Sequence, residues 1–179
     1  MTQQLVYKIK GPELNKILLP NISKEIFSND KKNKNQYLTA SDVLTSDFLN
    51  LNWKDYKWKR VIVFHKSNNG GIHVDGNGNE WGINWIVTGS GVLKYWTFDK
   101  VDIDTYIKNH YVYKSNHQPS FYYETNIENS PYLVNAMLPH QATGYDRFLV
   151  SLRLGDQNDQ VWHDSWEDVV KKFKDIIYD

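Results

Sequence analysis

The segment His73-Val74-Asp75, lying between Gly71 and Gly76, brings two side chains of metal-binding type into the closest useful spacing. In an extended strand residues i and i+2 project to one face, so an imidazole nitrogen and a carboxylate oxygen can aim at one point, and the glycines beyond permit a tight loop. A third ligand has to come from another strand. His140, in Leu138-Pro139-His140-Gln141-Ala142, is the best candidate. Two histidines and one carboxylate on one face of an octahedron suit Fe(II) and leave three positions open for exchangeable ligands. The bland alternatives are a His73–Asp75 hydrogen bond at a strand end and a turn histidine after Pro139.

The strand after His140 adds a second chemistry. In Arg147-Phe148-Leu149-Val150-Ser151-Leu152-Arg153 the alternation puts Arg147, Leu149, Ser151 and Arg153 on one face and Phe148, Val150 and Leu152 on the other. If Thr143–Asp146 closes a regular hairpin, Ala142 pairs with Arg147 and His140 with Leu149, so both arginines share the face of His140. A buried guanidinium calls for an anion, and a dicarboxylate reaching from metal to arginine would satisfy it. The competing reading pairs Arg147 with Asp146 or Asp156 and leaves Arg153 at an open rim. Asn84 and Tyr95, on strands beside the His73–Asp75 arm, could hydrogen-bond a co-substrate or simply satisfy backbone groups. Trp81, Trp85 and Trp96 could line a pocket, with core packing as their default, and His65, His110, His117 and His163 read as structural.

Together these pieces resemble the 2-oxoglutarate and Fe(II)-dependent dioxygenase superfamily. The resemblance is carried by His73-x-Asp75, by Trp81-Gly82-Ile83-Asn84-Trp85-Ile86-Val87 leading through a glycine turn to Val92–Phe98, by Pro139-His140, and by Arg147-x5-Arg153. It covers residues 60–154 and is one of pattern. It implies a double-stranded β-helix, that is, a jelly-roll, cupin-like fold. It also implies Fe(II) on His73, Asp75 and His140, 2-oxoglutarate as co-substrate, and O2 as oxidant. Arg147-x-x-x-Ser151-x-Arg153 is similar to a strand of the alkylation-repair demethylases, which implies that Arg147, Ser151 and Arg153 bind the co-substrate, with Asn84 and Tyr95 beside it. The short separation of His140 from Arg147 leaves open which arginine takes which carboxylate. Ile62 and Phe64 are apolar where the repair enzymes often carry polar residues ahead of the metal arm. The implied reaction couples oxidative decarboxylation of 2-oxoglutarate to hydroxylation or demethylation of a small molecule or protein side chain. The alternatives are a cupin-type metalloenzyme that does not use 2-oxoglutarate, and a non-catalytic jelly-roll binding or structural module such as a phage component.

The elements that must position these residues follow from the rest of the pattern. The 179 residues suit a single domain, 1–179, with a core about 60–154. From Arg60 onward short β-rich runs alternate with turn residues. These are Val61–His65, Gly71–Asp75, Gly82–Thr88 and Val92–Phe98 as a hairpin about Gly89-Ser90-Gly91, and Tyr132–Ala142 and Arg147–Leu154 as a second hairpin. The pattern is mainly β, a sandwich or barrel with flanking helices. Asp99–Asn126 reads as a partly helical excursion that, with the loop Gly76–Trp81, shapes the substrate pocket. Leu5–Ile9 reads as a short strand, Glu13–Leu19 as one or two helical turns, and 28–36 as an exposed loop. Trp162, Trp166, Val169, Val170, Phe173, Ile176 and Ile177 recur at helical spacing. They predict a C-terminal amphipathic helix about 165–178, with Asp164 and Glu167 as its capping box.

Composition narrows the classes. No cysteine is present, which excludes disulfides, thiolate nucleophiles and Cys-ligated clusters. Lys+Arg and Asp+Glu stand at 21 each, so charge does not indicate nucleic acid or an anionic membrane. No stretch approaches the ~20 apolar residues of a bilayer span, and Met1–Gly11 has no leader-like pattern, so the expected location is cytoplasmic.

Overall fold

A computed structural model of the chain describes residues 4–11, 34–38, 57–66, 71–75, 81–97, 103–107, 110–113, 120–144, 147–155 and 165–178, with backbone alone for 34–38, 57–66, 103–107, 110–113 and 153–155. Two six-stranded antiparallel sheets face each other. The first has the order β1 (Val6–Lys8), β10 (Tyr132–Asn135), β5 (Trp81–Thr88), β12 (Arg147–Gly155), β3 (Lys57–Lys66), β2 (Lys34–Leu38). The second has the order β7 (Ile103–Ile107), β8 (His110–Tyr113), β4 (His73–Asp75), β11 (His140–Thr143), β6 (Gly91–Thr97), β9 (Ser120–Ile127). Leaving out β1, β2, β7 and β8, the remaining eight strands pass back and forth between the sheets as β3-β12-β5-β10 against β4-β11-β6-β9. This is the jelly roll.

That path corrects both hairpins. β5 and β6 lie in opposite sheets, as do β11 and β12, so Ala142 does not pair with Arg147, nor His140 with Leu149; β11 pairs with β4 and β6 instead, and β12 with β3 and β5. Glycine turns serve a hairpin and a corner between sheets equally well. Here the two corners are wedged together: Gly89 (φ 82°) and Gly144 (φ 131°) hold conformations that L side chains resist, and a Cβ on Gly144 would collide with Ser90 O. The run Tyr132–Ala142 is likewise two strands, β10 and β11, broken at 136–139, where Pro139 offers no N–H to a ladder.

The stretch Asp99–Asn126, expected to be partly helical, contributes strands β7, β8 and β9; its aromatic and β-branched residues suit a pleated surface. Lys34–Leu38 pairs with β3, so the end of the expected loop 28–36 is strand. Glu13–Leu19 lies outside the described residues.

The core has two layers. Between the first sheet and helix α1 (Trp166–Phe173) lie Ile83, Trp85, Leu133, Phe148, Val150 and Leu152 with Trp166, Val169 and Phe173 of the helix. Phe173 meets Trp81 edge-on at 5.6 Å. The N-cap is Ser165, one residue later than predicted: its hydroxyl accepts from Asp168 N at 3.2 Å, and Asp168 takes the place given to Glu167 in the capping box. The helix passes into a 3-10 turn at Lys174–Ile176, and Ile177 bridges to Ile9, extending the β1 edge. Between the sheets lies a second cluster, Leu5, Val6, Ile86, Leu93, Tyr95, Ile127, Tyr132 and Val134. Among the described residues no helix is long and apolar enough to cross a membrane.

Candidate metal centre

His73, His140 and Tyr95 form a row across the second sheet, because His140 is in register with His73 on one side and with Tyr95 on the other. Directly opposed residues point to the same face. Tyr95 belongs to the cluster between the sheets, so the row faces the sandwich interior. The imidazoles of His73 and His140 lie 4.4 Å apart, and Tyr95 packs 6.0 Å from His140. Asp75 projects to the same side two residues from His73, and the ligand atoms of His73, Asp75 and His140 lie within 4.8 Å of one another. The structure thus brings together three groups that the sequence separates by 67 positions.

The tautomers follow from what each ring touches. His73 Nδ1 lies 2.9 Å from Gly71 O, and His140 Nδ1 lies 2.9 Å from Leu138 O. A carbonyl only accepts, so each Nδ1 carries a proton, and in the neutral form of each ring the lone pair is on Nε2. His73 Nε2 stands 3.5 Å from Asp75 Oδ1. Two lone-pair nitrogens and a carboxylate converging on one point could hold a cation between them. A charge-assisted hydrogen bond would be about 2.7–2.9 Å, whereas adjacent ligands on one metal at about 2.1 Å sit about 3 Å apart. The donor set of two imidazoles and one oxygen therefore fits a first-row divalent metal. Asp75 is 2% exposed while the His73 side chain is 28% exposed, so the carboxylate is shielded and the site is reached from the His73 side.

Arg147 faces the site from the other sheet. It alternates with Phe148, which belongs to the helix-side core, and its Nη2 donates to Ala142 O at 3.2 Å, across the sandwich and two residues beyond His140. Its stem passes between the corner glycines: a Cβ on Gly91 or Gly144 would come within 3.2 or 3.1 Å of Arg147 Cδ. Burial pushes its pKa down from the usual arginine value. Arginine and metal site thus face the same interior, from opposite sheets rather than along a hairpin. Leu149 and Ala142, which point into the interior between them, are only half-buried, as is Asn84. These inward-facing residues of central strands therefore keep partial solvent contact.

The remaining sequence candidates divide. Ser151 Oγ donates to Asn84 Oδ1 at 2.6 Å, both on the inner face of the first sheet. The Tyr95 hydroxyl donates to Asn135 O at 2.6 Å, a backbone group. Trp81 and Trp85 are core, and Trp96 stacks edge-on against Phe121 at 5.8 Å. The Arg153 backbone continues β12 opposite Arg60, and its side chain lies outside the described residues. His117 and His163 lie outside them too. Sequence reasoning missed the carbonyls of Gly71, Ala136 and Leu138. Backbone groups carry no residue-type signal, and only the Asn135…Pro139 turn pattern hints at them.

No family model matches the chain, and no curated protein does. Among solved structures it is similar to hydroquinone 1,2-dioxygenase PnpCD in complex with Cd2+ and 4-hydroxybenzonitrile, with TM-score 0.40, 6% identity, and coverage of 70% of this chain and 67% of that one. It is also similar to E. coli ycfD, with TM-score 0.38, 9% identity, and coverage of 66% and 29%. A third is Bacillus subtilis oxalate decarboxylase, described for its Mn(II) centres, with TM-score 0.38, 8% identity, and coverage of 97% and 38%. The chain spans well under half the length of the latter two.

Proposed function

We propose that the protein is a mononuclear Fe(II) enzyme that uses 2-oxoglutarate and O2 to hydroxylate or demethylate a substrate. The observation that supports the co-substrate is the position of Arg147, whose guanidinium reaches the interior two residues along β11 from His140. Two strand residues span about 7 Å, the scale of a five-carbon dicarboxylate with one end at a metal and the other at a guanidinium. His73, Asp75 and His140 would hold the metal, which would supply redox chemistry toward O2 at its open positions. The chain's own contribution is geometric and electrostatic. Gly71 O and Leu138 O fix both imidazole tautomers, Asp75 supplies the single negative charge, and Arg147 binds the far carboxylate in a setting where burial strengthens the attraction. Ser151 and Asn84 would bind alongside, and the half-buried inner face of Leu149 and Ala142 would cover the carbon chain.

One observation favours a second reading. Arg147 Nη2 already serves Ala142 O, and its stem fills the gap between the two corners. That is what a structural lock would do in a cupin-type metalloenzyme without 2-oxoglutarate.

The deciding experiment supplies purified protein with Fe(II), ascorbate, O2 and 2-oxoglutarate and measures succinate. Succinate above the level of an Asp75→Ala control supports the first reading. Metal binding by the wild type without succinate formation, and without displacement by 2-oxoglutarate, selects the second.

A further inference from the structure

The corner that carries the chain from β10 to β11 makes three contacts around the proposed metal centre, all through backbone carbonyls. Ala136 O accepts from the Asp75 backbone N–H at 3.1 Å, Leu138 O accepts from His140 Nδ1 at 2.9 Å, and Pro139 O accepts from Trp96 N at 3.0 Å. Two of the three ligands, from strands far apart in sequence, are thus held by one short stretch of main chain. What holds that stretch is Asn135, a polar residue only 3% exposed. Its Oδ1 accepts from Met137 N at 2.9 Å, closing an Asx turn across the start of the corner. Its backbone N–H donates to Leu5 O at 3.0 Å, and its carbonyl accepts the Tyr95 hydroxyl at 2.6 Å. Tyr95, 1% exposed, spans the sandwich from the second sheet to the first while its ring packs against His140.

We infer that residues 136–139 are the template that sets the spacing between Asp75 and His140, and that Asn135 and Tyr95 are positioning residues for the metal centre. Neither needs to touch the metal. Asn135 fixes where the Ala136 and Leu138 carbonyls point, and those carbonyls fix the backbone of one ligand and the ring orientation of another. Tyr95 limits the same corner from the opposite side. This inference rests on the metal-site reading above, and goes beyond it by assigning the geometry to residues outside the ligand set.

The test measures Mn(II) affinity by calorimetry, and the visible ligand-field spectrum of the Co(II)-loaded protein, for wild type, Asn135→Ala, Asn135→Asp and Tyr95→Phe. Circular dichroism and melting curves confirm folding at the working temperature. Asn135→Ala should weaken Mn(II) binding by about ten- to a hundredfold and shift the Co(II) bands. Asn135→Asp, which keeps an acceptor oxygen for Met137 N–H, should restore affinity and spectrum close to wild type. Tyr95→Phe, which keeps the ring and loses the hydroxyl, should change both in the same direction by less. A folded Asn135→Ala with wild-type affinity and spectrum overturns the inference, as does failure of Asn135→Asp to rescue. Should Asn135→Ala not fold, an unchanged Co(II) spectrum and Mn(II) affinity in Tyr95→Phe overturns it. Absence of metal binding by the wild type is a different failure, which removes the metal-site reading and this inference with it.

Discussion

The two faces of β12 do different work with alternating residues of one strand. Phe148, Val150 and Leu152 turn to helix α1 and are at most 2% exposed, in a layer that also takes Trp81, Trp85 and Phe173. Arg147, Leu149 and Ser151 turn to the second sheet, where a guanidinium, a hydroxyl and a half-buried leucine share space with an imidazole-carboxylate cluster. One face is apolar throughout and sealed; the other buries charge and keeps solvent contact. The difference shows how a small protein can hold a polar interior. The helix-backed layer buries apolar side chains of the strand against the helix, and such burial offsets the cost of polar groups on the inner face.

The largest expected effect breaks the sealed face. Phe173→Ala removes a buried ring from contact with Trp81 and should cost about 3–5 kcal/mol, read by urea denaturation. Because Phe173 lies behind the first sheet, Mn(II) affinity measured where the variant remains folded should be unchanged. A loss of metal affinity in the folded variant would show that the two faces are coupled through β12 or β5.

On the inner face the effects should be on ligands rather than on the bare fold. A metal at a hundred times its dissociation constant should stabilise the wild type by about 2.7 kcal/mol, and Asp75→Ala should abolish that gain. Arg147→Met keeps the stem between Gly91 and Gly144 and removes a charge whose burial is unfavourable, as its lowered pKa indicates. The variant should keep the metal gain, lose the added gain from 2-oxoglutarate, and melt no lower than wild type without ligand. Because an arginine side chain stays protonated in proteins even where burial lowers its pKa, the ligand-free melting difference between wild type and Arg147→Met should be the same at pH 6 and pH 8. A 2-oxoglutarate gain that survives Arg147→Met would assign Arg147 to the structural lock and move the protein to the cupin-type reading.

The ligand types and the face alternation of β12 were legible in the sequence because both depend on the two-residue period of a strand, which needs no knowledge of partners. His73 and Asp75 share a face for that reason, and Phe148 and Arg147 part for the same reason. Pairing was not legible. Gly89-Ser90-Gly91 and Thr143-Gly144 carry the residues of hairpin turns, yet both turn the chain from one sheet to the other, since the neighbours of β5 and β12 are set by strands distant in sequence. The aromatic stretch before Asn126 lacked the uninterrupted alternation of the other strands and so read as partly helical, although it supplies β7, β8 and β9. Arg147 and His140 face the interior from opposite sheets, not from paired strands as a hairpin would place them, and the Arg153 side chain lies outside the described residues. In a sandwich, inward residues of opposite sheets meet much as those of paired strands do.

The smallest effect sharpens the comparison within the inner face itself. Ser151 and Asn84 are directly opposed on β12 and β5 and share a 2.6 Å hydrogen bond. Ser151 is 1% exposed while Asn84 keeps partial contact with solvent, so the pair reaches from the buried wall toward solvent. Ser151→Ala removes one neutral hydrogen bond, worth about 0.5–1.5 kcal/mol, and Asn84 can recover part of that through water. The melting temperature should therefore fall slightly and Mn(II) affinity should not change, because neither residue touches the ligands or the corner that orients them. If the pair also binds the co-substrate, calorimetry with 2-oxoglutarate in the metal-loaded protein should show a several-fold weaker affinity in Ser151→Ala, and Asn84→Ala should weaken it more, since Asn84 keeps the solvent contact that Ser151 lacks. Equal 2-oxoglutarate affinity in wild type and both variants would confine Ser151 and Asn84 to holding β12 against β5, leaving Arg147 as the anion-binding group among the described side chains of that face.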